Sequence, residues 1–186
     1  VLGGGFIGLE IAATARALGK QVTVLESAPR LLSRSVSPEL AEHVLATHRA
    51  SGIDLRLGVK VGDFAIVGDR LASLSVDGQA QAVELLVMGI GAAPQVQLAQ
   101  DAGLACDNGI VVDELLRTSD AAILALGDCA SFPEHGSGRR LRLESVQNAN
   151  DQARTALATL TGQHEPYRAL PWFWSEQGSL RLQMAG

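Results

Sequence analysis

The sequence predicts an α/β fold built on parallel strands, and three observations predict it. A glycine-rich turn, Gly3-Gly4-Gly5-Phe6-Ile7-Gly8, follows two apolar residues and opens a small and apolar run with helical spacing from Leu9 to Leu18. Gln21 to Glu26 is then a short β-branched run without a polar face, the pattern of a parallel strand covered on both sides. Further short apolar runs, separated by Gly68-Asp69 and Asp77-Gly78, read as an antiparallel meander.

Composition bounds what such a chain does. At roughly 100–200 residues per domain, 186 residues make one domain or two small ones. Hydrophobic residues at 47% and charged residues at 19% describe an ordinary globular chain and exclude a disordered or fibrous one. No apolar run approaches the ~18 residues of a membrane span. Fifteen Lys and Arg against twenty Asp and Glu leave a net charge of −5, the wrong sign for a nucleic-acid binder. Cys106 and Cys129 form no C-x-x-C pair and have no histidines at metal-ligand spacing, so no metal site is expected. Their number suits a reducing, cytoplasmic compartment, and no signal peptide is visible. The chain starts without Met almost on a motif, which reads as the loss of upstream sequence.

Each element follows from local signals. Val1 and Leu2 end a buried strand, and Gly19 closes the helix that the glycine turn opens. Ser37 followed by Pro38 is an N-cap and first-turn pair, starting a helix that runs to about Ser51 and stops at Gly52. Leu55 to Leu57, Arg70 to Val76 and Ala82 to Met88 are the expected strands of the meander, the last leading into Gly89-Ile90-Gly91-Ala92-Ala93-Pro94. A short helix from Gln95 to Ala102, a strand over Gly109 to Asp113 and a buried strand over Ala122 to Leu126 come next. Residues 134–140 are a polar, glycine-rich surface loop, and Arg139, Arg140 and Arg142 read as a solvated basic cluster. Val146 to Thr161 is a helix, and both tryptophans lie beyond it.

The chemistry is concentrated in two motifs. Gly3, Gly5 and Gly8 form G-x-G-x-x-G between a strand and a helix, with Glu26 eighteen residues after Gly8 at the end of the next strand. In that context the first glycine permits the turn, the second lets a pyrophosphate reach the backbone, and the third lets helix and strand pack closely. The helix N-terminus then holds the phosphates, making this a Rossmann-like dinucleotide-binding unit. A carboxylate at Glu26 accepts from a ribose 2′-OH and repels a 2′-phosphate, which favours NAD over NADP. Arg30, four residues on, is the competing signal because it suits a 2′-phosphate. The second motif is Thr118-Ser119-Asp120 followed by an apolar run into Gly127-Asp128-Cys129-Ala130, which places Asp128 at the carboxyl edge of a sheet. The residues alone leave two readings for Asp128, an Asx-turn or a contact to a polyol hydroxyl.

In this order and spacing the glycine turn, Gly89-x-Gly91-x-x-Pro94 and the T-S-D…G-D-C-A run resemble flavoproteins with two dinucleotide-binding domains. Arg142-Leu143-Glu144-Ser145-Val146-Gln147-Asn148-Ala149 and Pro171-Trp172-Phe173-Trp174-Ser175-Glu176-Gln177 are similar to one branch, the NADH-dependent ferredoxin reductases of the putidaredoxin, rubredoxin and aromatic-ring dioxygenase systems. The resemblance covers essentially the whole chain. It implies an NAD-binding domain over 1–94 with its meander, the C-terminal half of an FAD-binding domain over 95–162, and the start of an α+β interface domain over 163–186. It departs from the family at Gln95, where Asn is common, and at Gly178-Ser179, where a bulkier pair is usual.

The resemblance also implies roles. Gly127 and Asp128 match the turn that holds the FAD ribityl chain, and Val146 and Gln147 match the helix start facing the flavin pyrimidine. Phe6, Ile7 and Glu10 match the segment near flavin and nicotinamide, with Glu10 as the acidic residue. Gly89 and Gly91 match a coenzyme-lining strand end. Trp174 matches the tryptophan beside the isoalloxazine, and Arg154 a basic position where an acidic iron–sulfur partner docks. Each role has a competing reading: Glu10 as a first-turn acid, the tryptophans as core, Arg154 as a helix-surface ion pair with Asp151. The implied activity carries electrons from NADH through FAD to a [2Fe–2S] ferredoxin or a rubredoxin. A flavin-dependent disulfide reductase, an apoptosis-inducing-factor-like flavoprotein and a non-catalytic nucleotide-binding module are the rivals. Because the family's own first FAD-binding region is not in the sequence, the chain is expected to be a fragment, inactive alone.

Overall fold

A computed structural model describes residues 1–186 as an α/β protein with several small sheets. Two compact units divide it: Val1–Gly91 with Ser175–Leu182, and Ala92–Trp174 with Gln183–Gly186.

The first unit runs α1 (Phe6–Ala17), β1 (Thr23–Glu26), α2 (Pro38–Ala50), β2 (Asp54–Leu57), β3 (Val61–Val67), β4 (Arg70–Val76) and β5 (Gln79–Ala82). β1 pairs with β2 in parallel, and Leu2 forms parallel bridges to Leu25 on one side and Met88 on the other. The N–H groups of Leu2 and Gly89 bond Val87 O and Leu2 O at 2.8 and 2.7 Å, so residues 1–3 are the inner strand. That order places the glycine turn at the carboxyl end of an inner parallel strand, where open α/β sheets bind ligands. α2 starts as expected, with Ser37 Oγ accepting from Leu40 N and Pro38 in the first turn.

Three expectations for this unit are corrected. Leu55 to Leu57 belongs to the parallel sheet, not to the meander. The first meander strand is β3, which the sequence reading missed: register shifts at Gly62/Phe64 and Ala65/Ile66 break its alternation, and Asp63–Val67 are exposed. The third strand lies at Gln79–Ala82 instead of Ala82–Met88. Asp77 (φ +49) and Gly78 (φ +82) form a two-residue turn of left-handed residues. Pairing therefore restarts at once, with Gln79 opposite Val76. The meander's buried Leu74 and Val76 pack with Leu25 and Val59.

The second unit contains α3 (Gln97–Asp101), β6 (Ile110–Val111), a 3-10 turn at Gly127–Cys129, β7 (Ala130–Pro133), β8 (Arg140–Leu141) and α4 (Val146–Leu160). β9 (Trp172–Gln177) and β10 (Leu180–Ala185) pair with each other. The core gathers Val112, Leu116, Ala130, Phe132, Ala156 and Tyr167, and the Phe132 and Tyr167 rings meet edge to face at 5.2 Å. Tyr167 donates to Asn148 Oδ1 at 2.9 Å, and burial, helped by the Asp151 charge, pushes its phenol up to about 12. Ser145 Oγ caps α4 by accepting from Asn148 N.

The strand expected at Ala122–Leu126 does not form. Asp120 Oδ1 and Asp120 O accept from Ala122 N and Ile123 N, both at 2.9 Å, and this Asx-turn bends the chain where a strand would start. Leu124 keeps one bridge, to Arg117, while Ile123 and Leu126 are exposed. Asp128 accordingly sits on the 3-10 turn and not at a strand end. The basic cluster is also corrected. Arg140 donates to Val112 O at 2.7 Å and to Ser131 O, and Arg142 to Asp128 O at 3.0 Å and Glu144 at 2.6 Å. Arg139 and Arg140 are nonetheless exposed as residues, and Arg139 is paired with Glu134 across the turn, where Ser137 and then Arg139 hold that carboxyl below the usual range. No helix is long and apolar enough to cross a membrane.

Candidate functional site

The glycines of the turn differ in what a side chain would meet. A Cβ on Gly3 would lie 2.3 Å from Gly89 O, and one on Gly8 would lie 2.2 Å from Gly3 O. A Cβ on Gly89 would stand 3.2 Å from Gly8 N and Cα, so these three glycines are where backbone meets backbone. Gly3 further requires its φ of +106°. Gly5 is different. A Cβ there meets nothing within 4 Å, so packing within the chain does not require glycine at this position and its backbone is open on that side. Gly5 is also the N-cap of α1, and no side chain caps the first turn. A helix start without a cap from its N-cap side chain, beside open backbone, has the chemistry that suits an anion.

Glu26 lies against this turn. Its Oε2 accepts from Gly4 N at 2.6 Å and its Oε1 from Ala28 N at 2.7 Å. These two main-chain donors fix the carboxylate, Ser27 Oγ adds a longer bond to Oε1 at 3.4 Å, and Oε2 keeps a lone pair for a ribose hydroxyl. Arg30, the competing signal, is engaged elsewhere: its guanidinium donates to Val36 O at 2.7 Å and Ser33 O at 2.8 Å. On α1, Phe6 and Glu10 are half-buried one turn apart and Ile7 is exposed. Gly91 has φ +109° and open surroundings. The first unit therefore brings Gly3, Gly5, Gly8, Glu26 and Gly89 together and fits the diphosphate and adenosine ribose of a dinucleotide.

In the second unit Gly127 N donates to the buried Gln152 Oε1 at 2.7 Å, which ties the 3-10 turn to α4. Asp128 is exposed, and its carboxylate takes no hydrogen bond from the chain. That unspent acceptor fits the ribityl hydroxyls of a flavin. Val146 is exposed at the start of α4, and Gln147 Oε1 accepts from Trp172 N at 3.1 Å. Trp172 and Trp174 stack at 5.1 Å with 25° between their planes, each more than a third exposed. Arg154 is ion-paired with Asp151.

Sequence reasoning assigned no role to Gln152, His48, Ser175 or Gln177, all buried and polar. A signal existed for three of them. His48 follows Ala41 and Val44 on the buried stripe of α2, and Ser175 and Gln177 alternate with the exposed Trp174 and Glu176.

Residues 1–153 match the family described as pyridine nucleotide-disulphide oxidoreductase. The chain belongs to that family. Over its whole length it is 46% identical to rhodocoxin reductase of Rhodococcus erythropolis, covering 44% of that protein. It is 43% identical to putidaredoxin reductase of Pseudomonas putida, covering 45% of it. A solved ferredoxin reductase from Rhodopseudomonas palustris superposes on the whole chain with a TM-score of 0.95 at 47% identity, and the chain covers 46% of that structure. The chain thus spans less than half the length of these relatives, and its α/β fold is theirs.

Proposed function

We propose that this chain is the NADH-binding part, and a portion of the FAD-binding part, of a reductase that passes electrons from NADH through FAD to a ferredoxin or rubredoxin. The observation that carries the reading is the open Gly5 beside the fixed Glu26. Relatives named for rhodocoxin, putidaredoxin and ferredoxin support the acceptor class.

When bound, the nicotinamide supplies a hydride and the flavin turns that two-electron input into single electrons. The residues of this chain bind and orient. Gly5 and the start of α1 receive the diphosphate, and Glu26 accepts from the ribose 2′-OH while opposing a 2′-phosphate. Phe6, Ile7, Glu10, Gly89 and Gly91 line the nicotinamide end. Gly127 and Asp128 hold the ribityl chain, Val146 and Gln147 put the positive end of α4 toward the flavin, and Trp174 covers it. The units 1–94, 95–162 and 163–186 serve as NAD-binding, FAD-binding and interface portions, which the observed break after Gly91 supports for the first of them. Arg154 docks an acidic partner by exchanging Asp151 for a partner carboxylate. A cytoplasmic setting suits the two free cysteines.

Steady-state kinetics of the full-length protein test this reading. Ferredoxin-dependent reduction of cytochrome c should show kcat/KM for NADH above that for NADPH by about tenfold or more, the factor for ~1.4 kcal/mol. Equal or better use of NADPH would refute the role of Glu26. Reduction that ignores added ferredoxin would refute the acceptor class.

A further inference from the structure

Four polar side chains form one continuous chain of hydrogen bonds inside the first unit. His48 Nε2 lies 2.8 Å from Gln177 Oε1, Gln177 Nε2 lies 3.0 Å from Ser175 Oγ, and Ser175 Oγ lies 2.5 Å from Glu10 Oε1. His48, Gln177 and Ser175 are 2%, 1% and 1% exposed. They come from separate elements: His48 from α2, Ser175 and Gln177 from β9, and Glu10 from α1. Ser175 and Gln177 are two apart on a strand, so both point to the same face.

The chemistry of the groups fixes the direction of every bond. An ionised carboxylate only accepts, so the Ser175 hydroxyl donates to Glu10. Ser175 Oγ then accepts from the Gln177 amide nitrogen, which only donates. Gln177 Oε1 only accepts, and His48 Nε2 must therefore carry the ring proton. Reversing the Gln177 amide would draw the Ser175 proton to Gln177 Oε1 and leave the half-buried Glu10 carboxylate without its donor. Buried polar groups are costly when unpaired, so the chain holds as a unit.

We propose that Ser175 is a positioning residue for Glu10, braced by Gln177 and His48. The relay holds Glu10 Oε1 and leaves Oε2, which takes no hydrogen bond within the chain, as the oxygen that would meet a nicotinamide nucleotide. This rests on the reading of Glu10 as a coenzyme contact. It gives the S-x-Q of Trp174-Ser175-Glu176-Gln177 a task distinct from that of the tryptophan beside it.

Two readouts on the full-length protein test the proposal, neither of them turnover. In protein labelled with [15N]histidine, long-range 1H–15N NMR should show His48, assigned through its backbone, as the Nε2–H tautomer. The Nδ1–H tautomer would overturn the relay without any substitution. In fluorescence titrations with NADH, Glu10→Ala and Ser175→Ala should each weaken binding about tenfold, the scale of one hydrogen bond to a charged group. The double variant should bind no more weakly than Glu10→Ala alone, and Ser175→Thr, which keeps the hydroxyl, should stay near wild type. A weakened Glu10→Ala with an unchanged Ser175→Ala, or effects that multiply in the double variant, would overturn the positioning role alone. Unchanged affinity in Glu10→Ala would overturn the reading of Glu10, and this proposal with it.

Discussion

Gly8→Ala is expected to destabilise the protein by about 3 kcal/mol or more, the upper end of what overpacking costs. The added methyl would stand 2.2 Å from Gly3 O and 3.2 Å from Gly3 C. Both are main-chain atoms of the inner strand, so no side-chain rotation relieves the clash. Gly89 closes the other side, with its own Cβ direction ending 3.2 Å from Gly8. Helix α1 must therefore move off the sheet or the strand must leave its register between Leu25 and Met88. Urea denaturation reads the effect as a lowered midpoint at unchanged m-value. A loss below ~0.5 kcal/mol, the range of ordinary surface substitutions, would show that the close approach of α1 to the strand is not needed.

Asp128→Ala should act in the opposite way, sparing the fold and weakening the flavin. Its carboxylate bonds nothing in the chain, and the turn that carries it is held through its main-chain groups, Gly127 N to Gln152 Oε1 and Asp128 O from the Arg142 guanidinium. Folding stability should stay within about 0.5 kcal/mol. Affinity for FAD in the full-length protein should fall by about 1.5–3 kcal/mol, the range for a hydrogen bond to a charged group. Dialysis followed by the flavin absorbance at constant protein concentration measures it. A variant that stays as yellow as wild type would contradict the role given to Asp128.

What was legible in the sequence was what local chemistry dictates. The glycine turn, the cap at Ser37 and the helices over 38–50 and 146–160 read correctly because their signals lie within a few residues of the structure they specify. The errors fell where a distant or competing contact decides. β2 looks like a meander strand, but only its parallel partner β1, about thirty residues away, defines it. β3 hid behind its register shifts. The run after Asp120 is apolar enough for a strand, yet one carboxylate accepting from Ala122 N turns the chain first. Arg140 is exposed as its reading expects, yet nothing local shows that main-chain carbonyls of residues 112, 128 and 131 receive the guanidinium groups of Arg140 and Arg142. The turn of the candidate site was legible and its bracing was not. Gly5 and Glu26 announce themselves by spacing, whereas the link from Glu10 to His48 depends on side chains 165, 2 and 129 positions apart in its three successive bonds.

On the function proposed above, Gly5 is glycine for a dinucleotide and not for the fold, and one substitution separates the two. Gly5 has φ −84° and ψ 179°, a conformation alanine adopts freely, and its Cβ direction is empty to 4 Å. Gly5→Ala should therefore keep the unfolding midpoint of wild type while placing a methyl where the diphosphate approaches the backbone. Titration of this variant with NADH, followed by fluorescence at a temperature where it is fully folded, should give a Kd raised by about tenfold or more, the factor for ~1.4 kcal/mol. A folded Gly5→Ala protein that binds NADH as tightly as wild type would contradict the account.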